Sequence, residues 1–319
     1  MAGAIAAPLG LSMTDSASPV GHENAGRGIL LALVAIFIFS TQDATSKFLV
    51  QTISPFQTTM MRFWAFAAFA LFLGLRKGSL RSVAQTAHPV LQVLRGVLLL
   101  ADIWMFVIAL RTVQLPELQA ITLVYPLIVT LAAVPLLGER VGIFRISAVV
   151  VGFLCALVIV RPGGVPLDWG TLAAIGSGAC YAFYIVLTRK VSASDTATTS
   201  MFYVGVVGLV LGTAVGMFFW QPLDLPDALG VGYIMVTGVV AHGMMIVALG
   251  MAPASVLQPF NYLSLPWSIV FSLMFFSHLI DPVSLLGAAV IVGAGLVVMA
   301  RERIRKIPAA AEPALPGKE

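Results

Sequence analysis

Apolar runs of about twenty residues follow one another along the chain, at 28–50, 55–75, 90–110, 117–137, 143–161, 169–188, 197–219, 228–250, 254–277 and 283–300. Each is long enough to cross a hydrocarbon layer roughly 30 Å thick as an α-helix. Spanning backbone must satisfy its own hydrogen bonds, and an α-helix does so within one segment. The pattern therefore predicts an all-α integral membrane protein with ten transmembrane helices joined by short loops. Asp102 interrupts the third run and His242 the eighth. Residues 1–27 mix Ala, Ser, Gly and Pro and lack the basic region of a cleaved signal peptide. Residues 302–319 turn basic and then rich in Ala and Pro. Both stretches are expected to be disordered cytoplasmic tails.

Composition removes the soluble alternative. Hydrophobic residues make up 59% of the 319 positions and charged residues 10%, with a mean hydropathy of +1.00, whereas soluble chains carry roughly 25% charge. Cys155 and Cys180, the only cysteines, lie inside apolar runs, which argues against a disulfide framework or a thiolate metal site. The excess of 18 basic over 14 acidic residues is small, so its placement matters more than its size. With the N-terminus inside, twelve Lys and Arg between Arg27 and Lys306 fall near the inner face, against Arg111, Arg161 and the helix-end Lys47 outside. The positive-inside rule then puts both termini in the cytoplasm, and Trp169 and Trp220 at the outer interface. The expected location is a bacterial inner (plasma) membrane. The expected partners are the bilayer and a small-molecule substrate, with no nucleic acid, no cofactor and no metal, and a monomeric or weakly dimeric state.

The chain also repeats itself at about 140 residues. Gly28 and Gly170 open matching helices, Ser46-Lys47 pairs with Thr188-Arg189, Leu118-Gln119 with Leu257-Gln258, and Pro126 with Pro266. Five helices per unit is an odd number, so the second unit enters the membrane with opposite orientation, as in many transporters. The expected units are 28–163 and 168–301, arranged as two inverted-topology five-helix repeats around a central cavity. Arg62, Arg95-Gly96, Ala109-Leu110-Arg111, Pro126, Gly138-Glu139-Arg140, Val160-Arg161-Pro162-Gly163 and the run Gly287 to Gly293 occur in an order that resembles the drug/metabolite transporter superfamily with its paired EamA domains. The second unit departs from the pattern, with Ser277-His278 where the first has Gly138-Glu139. The resemblance implies a ten-helix carrier of amino acids, nucleotide sugars, drugs or other metabolites. Its aromatic amino-acid exporter branch is the nearest in cavity composition.

Ionisable groups inside hydrocarbon cost several kcal/mol unless paired or wetted, so Asp102 and His242 mark a cavity or a tie between helices. Asp43 stands one turn from Lys47 and at the depth of Arg62, as a cavity group or part of a structural triad. Arg95 near the inner surface and Glu117 at a helix start read as structural. Polar faces at helical spacing add Gln119 and Thr122; Ser177, Tyr181, Tyr184 and Thr188; and Gln258, Asn261 and Tyr262. The substrate cavity is accordingly expected from Asp43, Asp102, Gln119, Thr122, Tyr181, Tyr184, His242, Gln258, Asn261 and Tyr262, with Pro126 and Pro266 as hinges. Trp104 and Trp267 fall on the opposite faces and read as packing, as does the Gly208, Gly212, Gly216 stripe.

No Gly-x-Ser-x-Gly, His-Glu-x-x-His or Walker-type phosphate loop is present, so no catalytic residues are assigned. The expected function is secondary transport by alternating access, with export of amino acids first and nucleotide conjugates of the S-adenosylmethionine kind, or drugs, as the alternative. A membrane-embedded enzyme or channel is the competing class.

Overall fold

The structure, a computed structural model, describes residues 22–76, 80–125, 165–191, 194–251 and 260–305, with isolated positions between 128 and 158. Among the described residues every regular element is helical: α1 (His22–Leu49), α2 (Pro55–Arg76), α3 (Leu80–Ala84), α4 (Pro89–Ala109), α5 (Leu115–Thr122), α6 (Trp169–Val191), α7 (Ala197–Gly216) with a 3-10 turn (Met217–Phe219), α8 (Leu225–Met251), α9 (Ser264–Phe276) and α10 (Pro282–Arg305). Of these, α1, α2, α4, α6, α7 and α8 are long and apolar enough to cross a bilayer, and α9 and the Pro282–Ala294 part of α10 are shorter apolar helices. Large apolar side chains such as Phe72, Val236, Met274 and Leu286 point outward, as a lipid solvent requires. The protein is a multi-pass helical membrane protein.

Of the ten expected spans, the fifth lies largely outside the described residues, as do parts of the fourth beyond 125 and of the ninth before 260; residues 1–21 and 306–319 lie wholly outside them. Two boundaries differ from expectation. Helix α1 starts at His22, inside the stretch expected as a tail, and α10 runs on to Arg305. In both, a polar end extends an apolar helix, because the backbone ladder continues once water replaces lipid around it. The short α3 had no apolar run to announce it.

The helix pairings have an internal symmetry. The broadest contacts join α4 to α6, α1 to α8 and α2 to α7; lesser ones join α4 to α7, α2 to α8, α1 to α9, α5 to α6 and α5 to α9. Exchanging α1, α2, α4 and α5 for α6, α7, α8 and α9 returns the same set. Moreover, α6 starts where α1 finishes: Lys47 near the end of α1 donates to Val113 O (2.9 Å), and Gly170 near the start of α6 lies against the neighbouring Thr112. Asp168 sits just before α6 and accepts the Thr171 backbone N–H (2.9 Å), a helix N-cap. That bond holds its carboxyl below its ordinary value.

Polar contacts close the two ends of the bundle. At one end Thr52 donates to Asp227 (2.8 Å) and Gln57 to Gln221 O (2.8 Å). At the other, Asp195 accepts from Thr86, Gln92 (2.8 Å) and the Ala87 N–H (3.2 Å). Partial burial opposes ionisation of Asp195, but these three bonds outweigh it and hold the carboxyl below its ordinary value.

Small residues set how closely the helices approach. A Cβ at Gly208 would overlap the Phe63 ring on α2, and one at Gly96 would lie 2.8 Å from Val207 Cβ on α7, whereas one at Gly212 would meet Met60 Cα at an ordinary 3.7 Å. The glycine stripe is thus the packing seam between α7 and α2. Gly208→Ala should cost about 1–3 kcal/mol through overpacking and Gly212→Ala much less, read as midpoints of thermal unfolding in detergent. Equal midpoints would show that the seam is loose.

Candidate functional site

One cavity opens among helices of both halves of the chain. Its wall includes Ile36, Phe39, Asp43 and Ser46 of α1, Arg62 of α2, Asp102 and Phe106 of α4, Gln119 and Thr122 of α5, Tyr125, Ser177 and Tyr181 of α6, His242 of α8, Asn261, and Ser264 of α9. At 1.5 Å per residue, Asp43, Arg62 and Asp102 each lie about 10 Å from the same end of their helices, so three charged groups share one level.

Arg62 is 8% exposed. Its guanidinium donates to Gln42 Oε1, and its Nε has no partner. Ser177 Oγ donates to Asp102 Oδ1 (2.6 Å), which fixes that carboxylate on α4 from α6. The ring of His242 lies edge-on to Phe39 and Phe66 at 4.7 and 5.1 Å, with Nδ1 3.1 Å from Gly238 O.

Two helices stop at the cavity. α5 ends at Thr122 and α9 begins at Ser264, with turns at Leu123–Val124 and Tyr262–Leu263. These breaks are 139 positions apart, the spacing of the Gln119 and Gln258 pair. Gln119 Nε2 donates to Ser264 Oγ (2.7 Å), and Ser264 Oγ donates to Asn261 O (2.7 Å), so the two breaks are tied together. Gly178 brings α6 against the broken end, since a Cβ there would lie 3.3 Å from Thr122 O.

Of the residues expected from sequence, the structure brings Asp43, Asp102, Gln119, Thr122, Tyr181, His242 and Asn261 to this wall. Tyr184 and Tyr262 are buried but lie off it. Tyr184 stacks on Tyr181 at 5.9 Å, and the Arg95 guanidinium lies over the Tyr184 ring at 5.4 Å. It supports the wall, and Arg95 is anchored in turn on Ser200 O (2.8 Å). Gln258 and Pro126 lie outside the described residues. Pro266 falls in the first turn of α9, where a missing N–H is tolerated, so it marks the restart of a broken helix and not a kink within one.

Sequence reasoning passed over Tyr125, whose ring meets Tyr181 edge-on at 4.9 Å, and treated Arg62 as scaffold. A buried arginine at the depth of two carboxylates was the available signal. Lys47 forms no triad with Asp43 and Arg62: its ammonium caps α4 by donating to Leu110 O (2.6 Å) and Val113 O (2.9 Å), as cations do at helix C-termini. Glu117 stands in the first turn of α5, as expected, and also meets His278 Nε2 at 2.8 Å. Trp104 packs edge-on against Phe56 at 5.4 Å and Trp267 against Phe37 at 4.8 Å.

A helical bundle with a polar, aromatic-walled cavity between its halves is the architecture of a carrier. The chain belongs to the EamA-like transporter family, whose profile matches it twice, over residues 26–161 and 168–300. It is a transporter of small molecules, not an enzyme. It is similar to a riboflavin transporter of Rhizobium johnstonii, 25% identical over 92% of this chain and 98% of that one. It is also similar to an S-adenosylmethionine uptake transporter of Rickettsia prowazekii, 23% identical over 86% and 93%, and to a riboflavin transporter of Brucella anthropi, 27% identical over 77% and 89%. One solved crystal structure superposes with a TM-score of 0.63 at 19% identity, covering 88% of this chain and 99% of that one, which establishes likeness of fold.

Tyr181→Ala should weaken substrate binding about tenfold, the scale of one lost aromatic contact, with normal membrane insertion. Trp104→Ala should mainly lower the thermal midpoint. A shifted substrate preference in the Trp104 variant with none in the Tyr181 variant would place the working cavity on the other face of α4.

Proposed function

We infer that this transporter takes up a small metabolite joining a flat ring system to a polar or charged head, with compounds of the S-adenosylmethionine class first and riboflavin second. The observation that carries this reading is the cavity itself. Tyr125, Tyr181, Phe39 and Phe106 provide aromatic surface beside a guanidinium and two carboxylates at one level. A small-molecule site needs apolar surface for affinity and a few fixed polar groups for orientation. An arginine with two aspartates suits a zwitterionic amino-acid head, and the aromatic wall suits the base attached to it. The names of the relatives, transporters of riboflavin and of S-adenosylmethionine, support the ring system, and that of the Rickettsia prowazekii protein also supports uptake.

Export of amino acids, the expectation from sequence, is the second reading, favoured by the same guanidinium and carboxylate pair. Proteoliposomes offered labelled S-adenosylmethionine, riboflavin and phenylalanine from either side distinguish them. Accumulation of S-adenosylmethionine is expected, falling about tenfold or more in Asp102→Asn. Movement of phenylalanine alone, or release without uptake, would overturn the reading.

The carrier is proposed to work by alternating access between two inverted five-helix units. The internal symmetry of the helix pairings and the matched breaks in α5 and α9 support this. Both termini are proposed to face the cytoplasm of a bacterial inner membrane, from the placement of twelve basic residues. Reporter fusions at Arg189 and Arg301 should both read inside and one at Asp224 outside. An outside signal at Arg189 would reverse the arrangement.

A further inference from the structure

The three charges of the cavity are not equally occupied. Arg62 gives a hydrogen bond to Gln42, and Asp102 receives one from Ser177. Asp43, half-buried on the cavity wall, has no hydrogen-bond partner among the described residues. Arg62 also keeps Nε without a partner while more than nine-tenths buried. Among the described charged groups of the wall, Asp43 thus offers an unused carboxylate and Arg62 an unused donor, beside the unpartnered Oε1 of Gln119.

Charge counting gives the complement. A guanidinium stays protonated in proteins, so Arg62 with both aspartates ionised leaves the cavity one negative charge in excess. Lys47 forms no ion pair with either aspartate, its ammonium being turned to Leu110 O and Val113 O. Among the described residues, His242 and the phenols of Tyr125 and Tyr181 are the other titratable groups of the wall. An uncompensated charge buried in a bundle is expensive, so the cavity holds either a proton on a carboxyl or a cation from the ligand. Phe39 stands one turn before Asp43 on α1 and also lines the cavity, and an aromatic ring beside a carboxylate is a favourable setting for a poorly hydrated cation such as a sulfonium or quaternary ammonium.

We propose that Asp43 is the specificity-determining residue of this cavity, anchoring a positively charged centre of the substrate, and that the site is matched to a ligand of net charge +1 with its carboxylate on Arg62. The proposal rests on the small-metabolite reading above and narrows it. S-adenosylmethionine, with one carboxylate, one ammonium and one sulfonium, has this charge pattern; S-adenosylhomocysteine, which lacks the sulfonium methyl, is neutral overall.

The test is binding to the purified full chain in nanodiscs by calorimetry, with two matched pairs. One pair is S-adenosylmethionine against S-adenosylhomocysteine. The other is phenyltrimethylammonium against its neutral carbon isostere, tert-butylbenzene. In the wild-type protein each cation should bind at least about tenfold more tightly than its partner. Asp43→Asn should erase or reverse that preference, while Asp102→Asn should weaken binding of both members and keep their order. Equal binding within both pairs overturns the proposal. So does a preference that vanishes in Asp102→Asn but survives in Asp43→Asn. If neither adenosyl compound binds while the ammonium is preferred through Asp43, the anchor stands and the adenosyl reading falls. Should Asp43→Asn fail to fold, Asp102→Asn decides: a cation preference that survives there upholds the assignment to Asp43, and one that vanishes overturns it.

Discussion

Arg62 sets the terms for the interior of this bundle. A guanidinium does not escape its charge by losing a proton, and lipid offers it no solvation, so neighbouring helices must answer it. α1 does so with two consecutive residues: Gln42 takes the hydrogen bond on the packed side, and Asp43, about 100° further round the helix, faces the cavity. α4 adds Asp102 at the same level, and α6 adds Ser177, which holds that carboxylate. Four helices from both halves of the chain are thereby committed to one depth, and the polar lining that follows gives water or a ligand a reason to enter.

The broken α5 and α9 extend this logic from side chains to backbone. A helix that stops inside a membrane leaves carbonyls without intrahelical donors, which is tolerated where the backbone lines a cavity or is buried in protein. Here both conditions hold, because Gln119, Ser264 and Asn261 link the two ends and Gly178 brings α6 against one of them. The breaks and the charges therefore need the same space, and each helps justify the other.

How much of this was visible in the sequence depended on range. Spans announce themselves over about twenty residues, so α1, α2, α4, α6, α7 and α8 were legible close to their observed limits. Asp102 and His242 were legible as ionisable groups among apolar neighbours. Partnerships across the bundle were not. Glu117 meets His278 across 161 positions, and Lys47 reaches Leu110 across 63, and no local pattern encodes either. Helical spacing placed Tyr181 and Tyr184 on one face correctly, but it could not say that Tyr181 forms the wall while Tyr184 is pinned behind it by Arg95. Tyr125 escaped notice because it falls just after the end of α5, where a helical wheel no longer applies.

The contacts between halves also constrain how the carrier moves under the alternating access proposed for it. At one end they are hydrogen bonds from Thr52 to Asp227 and Gln57 to Gln221, with the nearby pair of Glu117 and His278; at the other, Asp195 with Thr86 and Gln92, and Tyr203 with Ala84 O. Each is worth on the order of 1 kcal/mol and is replaceable by water where the bundle meets the membrane surface. The seams between α2 and α7, or α4 and α7, are packed through Gly208 on Phe63 and Gly96 on Val207, and parting them would lose close contacts with no solvent to compensate. A change of access is therefore cheaper as a rocking about these seams, trading the polar latches of one end for those of the other, than as a separation of the halves.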